Sequence, residues 1–343
     1  MKSVRTYLLV SCMLFCIGAV PASQEHDAWW NIYFTAPGAG RSGDNGRNPE
    51  SGLVALIREA KTSVHGAFYE VSAPAVVTAL CAARKRGVDV KLVTEGDTYK
   101  KRGAVKRQLE DAGIEVVADS RRGLMHDKFA VIDGAILWNG SYNATRNDGW
   151  KNNNNALVVR SAELADIYHE EFMEMFRDQI FGNRMEPGPF AELRKRYYVK
   201  VGETDINAYF SPEDNIERII IKRIGKAKKS IHFMAFSFTS DGIGEAMIER
   251  SKKGVAVTGI FERRGTRGGY SEYTKMKLEG LQVRLDRNRG AMHHKVIIID
   301  GERVIMGSYN YSRNANRYND ENIMIIDNRE IAGRYLAEFK RLW

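Results

Sequence analysis

Apolar and polar positions change period several times along the chain, and the changes mark its elements. Asn31-Ile32-Tyr33-Phe34 reads as an extended aromatic-apolar segment, and the polar, Gly-rich stretch from Gly38 to Gly46 as a loop. Leu53, Leu56, Ile57 and Ala60 follow helical spacing, and Ser63 to Tyr69 reads as a strand. Pro74 to Arg86 has Pro in its first turn and Gly87 just beyond its end, which bound a helix well. Val88 to Val93 is strand-like, Ala104 to Ala112 helical, and Ile114 to Val117 strand-like again. This alternation predicts an α/β layer structure with a largely parallel sheet.

The whole pattern then recurs at an offset of 167 residues: Ser63-Val64-His65 answers to Ser230-Ile231-His232, Glu95 to Glu262 and Gly113 to Gly280. Asn155 maps onto Asn322, and Tyr168, Phe172 and Phe176 map onto Tyr335, Phe339 and Trp343. Copy 1 is therefore expected over about 30–176 and copy 2 over 207–343, with 177–206 as a connector that starts loop-like and has room for a short helix. Two copies fit a pseudo-symmetric dimer fused into one polypeptide, whose two-fold interface brings equivalent patches face to face. Residues 1–22 read as an address. Lys2 and Arg5 precede an apolar run from Tyr7 to Val20, shorter than a membrane span, and Val20-Pro21-Ala22 resembles a cleavage site. A Sec-type leader predicts a secreted or periplasmic protein.

Composition narrows the field modestly. At 43% hydrophobic and 28% charged residues the chain is globular, neither disordered nor membrane-embedded throughout. The net charge of +9 favours polyanionic partners such as nucleic acid or anionic lipid, though a solvated basic surface explains many of these charges equally well. Cys12 and Cys16 leave with the leader, so Cys81, in a helical apolar pattern, is expected as a buried structural thiol. One cysteine makes neither an internal disulfide nor a thiolate metal site.

Chemistry concentrates in one stretch that occurs twice. Met125-His126-Asp127-Lys128 runs through apolar residues to Asp133-Gly134, and Met292-His293-His294-Lys295 runs likewise to Asp300-Gly301. Each copy then reaches Gly-Ser-Tyr-Asn, with Ser141 and Asn143 in the first and Ser308 and Asn310 in the second. On a strand, residues two apart point to the same side, so each imidazole projects with its ammonium. Asp133 stands seven residues after His126, the opposite parity, so Asp133 and Asp300 read as turn residues of a two-residue hairpin. Two imidazoles, two ammoniums and two Asn amides around one point suit a phosphodiester. Lys128, Lys295, Asn143 and Asn310 would bind the non-bridging oxygens. One His would attack phosphorus while the other protonates the leaving oxygen. No cofactor is expected. A metal reading of the histidines is disfavoured because a Lys beside each would repel a cation.

These residues resemble the phospholipase D superfamily, whose signature is His-x-Lys, four residues, Asp, then Gly-Ser-x-Asn, and the resemblance covers nearly all of the chain after the leader. It implies an α/β/α sandwich per copy, an active site at the interface between copies, and metal-independent chemistry through a phosphohistidine. It also implies His126 as nucleophile and His293 as general acid. The family often places an acidic residue after each motif to hold a catalytic imidazole. Glu321 occupies that position in copy 2 and would reach across to His126, but copy 1 has Asn154 there, with Asp148 nearby as a substitute.

Other residues are less telling. His65 and His232 read as matching core histidines, His26 and His169 as surface or lead-in residues, and Glu95 and Glu262 as strand-end residues that shape the cleft or the fold. The Arg263–Tyr270 loop reads either as a clamp on phosphate or as a solvated loop, and Trp150 and Tyr318 as rim residues. The expected activity is hydrolysis, or transfer, of a phospholipid head group, with peripheral contact to an anionic membrane and no obligate protein partner. An endonuclease on DNA or RNA is the rival reading. A non-catalytic polyanion-binding module fits poorly, because both His-Lys pairs are intact.

Overall fold

The computed structural model describes residues 29–38, 46, 48–182, 197–266 and 268–343. The expected leader, His26, Arg267 and residues 183–196 of the expected connector lie outside these residues.

Copy 1 runs β1 (Trp30–Phe34), α1 (Pro49–Glu59), β2 (Ser63–Phe68), α2 (Pro74–Lys85), β3 (Asp89–Glu95), α3 (Gly96–Lys101), α4 (Gly103–Asp111) and β4 (Glu115–Asp119). It continues with β5 (Lys128–Ile132), β6 (Ile136–Gly140), α5 (Arg146–Trp150), β7 (Asn155–Arg160) and α6 (Ala162–Phe176). Copy 2 opens with β8 (Tyr198–Val201), β9 (Thr204–Ser211), α7 (Ile216–Ile224), β10 (Ser230–Ala235), α8 (Asp241–Lys252), β11 (Ala256–Phe261), α9 (Glu272–Leu278) and β12 (Gln282–Leu285). It closes with β13 (Lys295–Ile299), β14 (Arg303–Gly307), α10 (Arg313–Arg317), β15 (Glu321–Asp327) and α11 (Arg329–Leu342). The strands β2, β3, β5 and β6 and the helix α5 each begin 167 residues before their counterparts.

The sheets are ordered β1-β7-β6-β5-β2-β3-β4 and β12-β11-β10-β13-β14-β15-β9-β8. The expectation of a largely parallel sheet is corrected here. Only β2-β3-β4 and β10-β11-β12 pair in parallel; every other neighbour is antiparallel. Helical crossovers generate the parallel part, whereas the tight Asp-Gly turns can only return an antiparallel strand. Those turns also hold one residue more than expected. Asp133 and Gly134 have φ of 52° and 62°, yet Ile132 pairs with Ile136, so Ala135 joins the loop. The expected connector is shortened too, because β8 and the start of β9 extend the second sheet from Tyr198.

Layering follows from which faces are apolar. Helices α1 and α2 cover the outer face of the first sheet, and α7 and α8 that of the second. The inner faces share one core with α6 and α11, built from both copies: Phe129, Tyr168 and Phe172 with Met292, Ile298, Tyr335 and Phe339. Each such apolar side chain contributes roughly 1.5–3 kcal/mol through burial, so the two copies stabilise one another. Strands β5 and β13 are buried along their whole length because both faces are covered. Ser161 and Asn328 cap α6 and α11, fixing where each inner helix begins. Cys81 is half-buried on α2 rather than buried, since it sits towards α4, with its thiol near the Gln108 carbonyl.

Candidate active site

Two short backbone bridges across the interface build the site. The His126 N–H donates to the Asp320 carbonyl at 2.9 Å, and the Asp320 N–H donates to the Leu124 carbonyl at 2.9 Å. The symmetric pair joins His293 N–H to the Asn153 carbonyl at 2.9 Å and Asn153 N–H to the Ala291 carbonyl at 2.8 Å. Each motif is thus zipped to the segment after the other copy's motif. The close approach requires glycine: a Cβ on Gly123 would lie 2.1 Å from the Tyr318 carbonyl oxygen, and one on Gly290 1.9 Å from that of Lys151.

Crossing the segments places the orienting groups. Glu321 Oε2 lies 2.7 Å from His126 Nδ1. Asn154 Oδ1 lies 2.8 Å from His293 Nδ1, which also faces the Ser141 carbonyl at 3.1 Å. These acceptors assign the ring proton of each neutral imidazole to Nδ1 and leave Nε2 with a free lone pair. Lys128 Nζ donates to the His126 carbonyl and Lys295 Nζ to the His293 carbonyl at 2.8 Å. Each ammonium also sits over an aromatic ring, Tyr69 at 5.3 Å and Phe236 at 4.8 Å, and the same rings pack edge-on to His126 and His293. Glu95 and Glu262 accept the N–H of Met125 at 3.0 Å and of Met292 at 2.6 Å, fixing the residue before each histidine.

The Gly-Ser-Tyr-Asn segments are equally tied down. A Cβ on Gly140 or Gly307 would lie 2.2 Å from the carbonyl oxygen of Asn155 or Asn322. The Ser141 and Ser308 hydroxyls accept the N–H groups of those residues at 3.1 and 3.0 Å. Asn143 Nδ2 donates to Asp148 at 2.6 Å, and the Oδ1 atoms of Asn143 and Asn310 are buried without a partner. Asp133 and Asp300 lie at the turns instead. Asp133 accepts the N–H groups of Lys61, Thr62 and Ser63, and Asp300 those of Lys228, Lys229 and Ser230. Burial opposes ionisation there, but the backbone donors outweigh it and hold both carboxyls below their ordinary value.

Burial dominates the electrostatics of the site. It acts first on His126 and His293, then Lys128 and Lys295 add to it, and both imidazoles are held well below their ordinary pKa. Burial brings Lys128 down to about 8 against the pull of Glu321, Asp127 and Asp148. Burial, then Lys128, brings Lys295 well down. Glu321 is pushed up by burial to about 7, against Lys128 and the hydrogen bonds of Asn319 and Ser308. Without substrate the site therefore holds two neutral imidazoles, each beside a lysine whose charged form burial also disfavours.

Several residues gain a place that sequence reasoning did not give them. Asp127 and His294, the middle residues of the motifs, are fully buried at the interface. Asp127 accepts from Asn322 Nδ2 at 2.6 Å, and His294 Nδ1 meets Asn155 Nδ2 at 2.8 Å. The available signal was a pair of Asn residues at the 167 offset beside polar residues heading an apolar strand. His65 meets His169 at 2.9 Å and Asp89 at 3.0 Å, away from the motifs, while His232 packs on Phe339. The guanidiniums of Arg263 and Arg264 donate to the carbonyls of Asp286 and Arg289. Trp150 bonds to Glu50, whereas Tyr318 is exposed at the rim. Among the described residues, no group of three or more His, Cys, Asp or Glu is arranged to hold a metal ion.

Comparison with known proteins meets this geometry halfway. The model of the family described as "Cardiolipin synthase, PLD-like domain" matches residues 53–176 and again 220–343. The chain belongs to that phospholipase D-like family. A phospholipase D of Rickettsia prowazekii is 30% identical over 140 residues, 41% of this chain and 68% of the relative. A mitochondrial cardiolipin hydrolase of Xenopus tropicalis is 34% identical over 118 residues, 34% of this chain and 56% of the relative. The solved phosphatidylserine synthase of Haemophilus influenzae covers 85% of this chain and 83% of its own at 14% identity and a TM-score of 0.66, a likeness of fold. The family membership makes the chain a phosphodiester hydrolase with two phospholipase D-like repeats.

Proposed function

We propose that the chain cleaves phosphodiesters through a covalent intermediate on His126, with His293 as general acid and then general base. The carrying observation is the unequal support of the two imidazoles, a carboxylate at 2.7 Å from His126 and a neutral amide at 2.8 Å from His293. When His126 Nε2 bonds to phosphorus, its ring becomes cationic, and the Glu321 carboxylate neutralises it. A ring held by an amide gives up its proton more readily, which suits the acid that protonates the leaving oxygen. The incoming diester anion offsets the Lys charges that keep His293 neutral and so favours its protonated form. Water then attacks phosphorus, gives its proton to His293, and frees His126. An alcohol in place of water gives transfer. Lys128, Lys295, Asn143 and Asn310 hold the non-bridging oxygens, and the two ammoniums supply the positive charge that phosphoryl chemistry needs.

For the substrate we propose a phospholipid head group, the reading supported by relatives named as a phospholipase D and a cardiolipin hydrolase. A second reading, a single nucleic-acid strand, is favoured by the exposed cations on the segments that flank the motifs: Arg122, Lys151 and Arg289 on loops, Arg146 on α5, and Arg313 and Arg317 on α10. Incubation in chelator with phosphatidylglycerol vesicles and with labelled single-stranded DNA separates the two. Head-group release without DNA cleavage supports the first reading. DNA cleavage on untouched vesicles replaces it with the second.

A further inference from the structure

After its motif each copy places one buried carboxylate within 4 Å of a motif imidazole of the site, but at different positions. Copy 2 has Glu321 and, at the offset of Asp148, Ala315; copy 1 has Asp148 and, at the offset of Glu321, Asn154. Equivalent amides serve both: Asn319 Nδ2 donates to Glu321, and Asn152 Nδ2 donates to Asp148. Asp148 is 3% exposed and receives three N–H donors, from Asn152, from the Asn143 backbone at 3.0 Å and from Asn143 Nδ2 at 2.6 Å. Burial pushes the Asp148 carboxyl up, and these donors together with the Lys295 charge pull against it in favour of the ionised form. Its Oδ2 lies 3.8 Å from His293 Nδ1. Its backbone carbonyl accepts from Asn154 Nδ2 at 3.0 Å, which turns Asn154 Oδ1 towards the same imidazole.

We infer that Asp148 is a positioning residue for the general acid, supplying His293 with its counter-charge from one step further away than Glu321 stands from His126. The inference rests on the acid role proposed above for His293. The charged and titratable groups acting on His293 are Lys295, Lys128 and His126, with Asp148 at 3.8 Å from its Nδ1; Glu321 and Asp148 both act on the two lysines. Three of these oppose protonation of the ring; the Ser141 carbonyl at 3.1 Å favours it, and Asp148 is the nearest carboxylate that does. Distance sets the balance. At 3.8 Å the Asp148 carboxylate favours the imidazolium while the partner bonded to Nδ1 stays a neutral amide. The same carboxylate clamps Asn143 beside the phosphate position.

A pair of diesters of similar shape tests this. Bis(4-nitrophenyl) phosphate loses a stable phenolate and needs little protonation; diphenyl phosphate loses a more basic phenolate and needs the acid. Asp148→Asn, nearly isosteric, should lower kcat/KM for diphenyl phosphate on the order of tenfold more than for the nitrophenyl ester. His293 acts while protonated, so losing the anion should also move the alkaline limb of kcat to lower pH. Asp148→Asn combined with Asn154→Glu should bring that limb back up. Equal losses on both esters, or a limb that stays in place in the single variant or stays down in the double one, would overturn the inference. A wild-type protein that cleaves neither ester in chelator would defeat the functional reading and this inference with it.

Discussion

Replacing Glu321 with Gln keeps the shape of the side chain and an oxygen that accepts from His126 Nδ1, but removes one negative charge. In the ground state His126 is neutral, so the change costs little before chemistry begins. The loss falls on the transition state and the phosphohistidine, where the ring carries a positive charge within a 2.7 Å hydrogen bond of the carboxylate. At an effective dielectric near 20, unit charges about 4 Å apart interact by roughly 4 kcal/mol. Lys128 and Lys295 already offset part of the Glu321 charge, leaving about 3 kcal/mol, on the order of a hundredfold in kcat/KM. The assay is release of 4-nitrophenolate from bis(4-nitrophenyl) phosphate in chelator, with thermal melting to show that the variant folds. Asn154→Ala, measured alongside, removes a neutral acceptor and should cost on the order of tenfold or less. Equal losses in the two variants, or a Glu321→Gln variant within about threefold of wild type, would refute the reasoning.

Three further outcomes follow from the geometry. Asp133→Asn should lower stability by about 2 kcal/mol in urea unfolding while the folded variant keeps its activity, because the carboxylate holds three backbone N–H groups far from the motif histidine. Since its folded pKa is depressed, that contribution is present in full above the ordinary carboxylate range and fades as pH falls through the folded value, so wild type and variant should converge in acid. Burial brings Lys128 down to about 8, and its proposed role needs the cation, so KM should rise as pH passes about 8, with Lys128→Arg making that rise smaller and Lys295 accounting for the rest; a flat KM to pH about 9.5 would count against it. Gly307→Ala pushes a methyl group to 2.2 Å from the Asn322 carbonyl oxygen, and should cost at least about 2 kcal/mol of stability and most of the activity, read by melting and ester cleavage.

The sequence carries the duplication openly, because a repeat is a one-dimensional property and the 167-residue offset runs through strands, helices and motifs alike. The spacing within each motif conveys local geometry in part: Asp133 falls in the turn, but β5 begins at Lys128, so His126 precedes the strand on which the two were expected to share a side. Sheet direction was harder to read. Alternating strands and helices describe only β2 to β4 and β10 to β12, and the hairpins beside them are local turns whose pairing reverses the chain. The least legible features are the cross-copy ones. The bridges from Met125 to Asp320 and from Asn153 to Met292 join segments far apart in sequence, and no periodicity announces them. Nor does composition show that Asp148 faces His293, since its part in the site depends on a fold of five residues around Asn143.

The central claim is that one site spans both copies and uses His126 as its nucleophile. Rapid quenching in alkali during turnover of bis(4-nitrophenyl) phosphate, followed by peptide mapping by mass, tests it most directly. The expected result is a 4-nitrophenylphosphoryl group on the peptide containing His126, formed in chelator and lost in His126→Ala. A label carried by His293 in the wild type, or equal labelling of the His126→Ala variant, would contradict it.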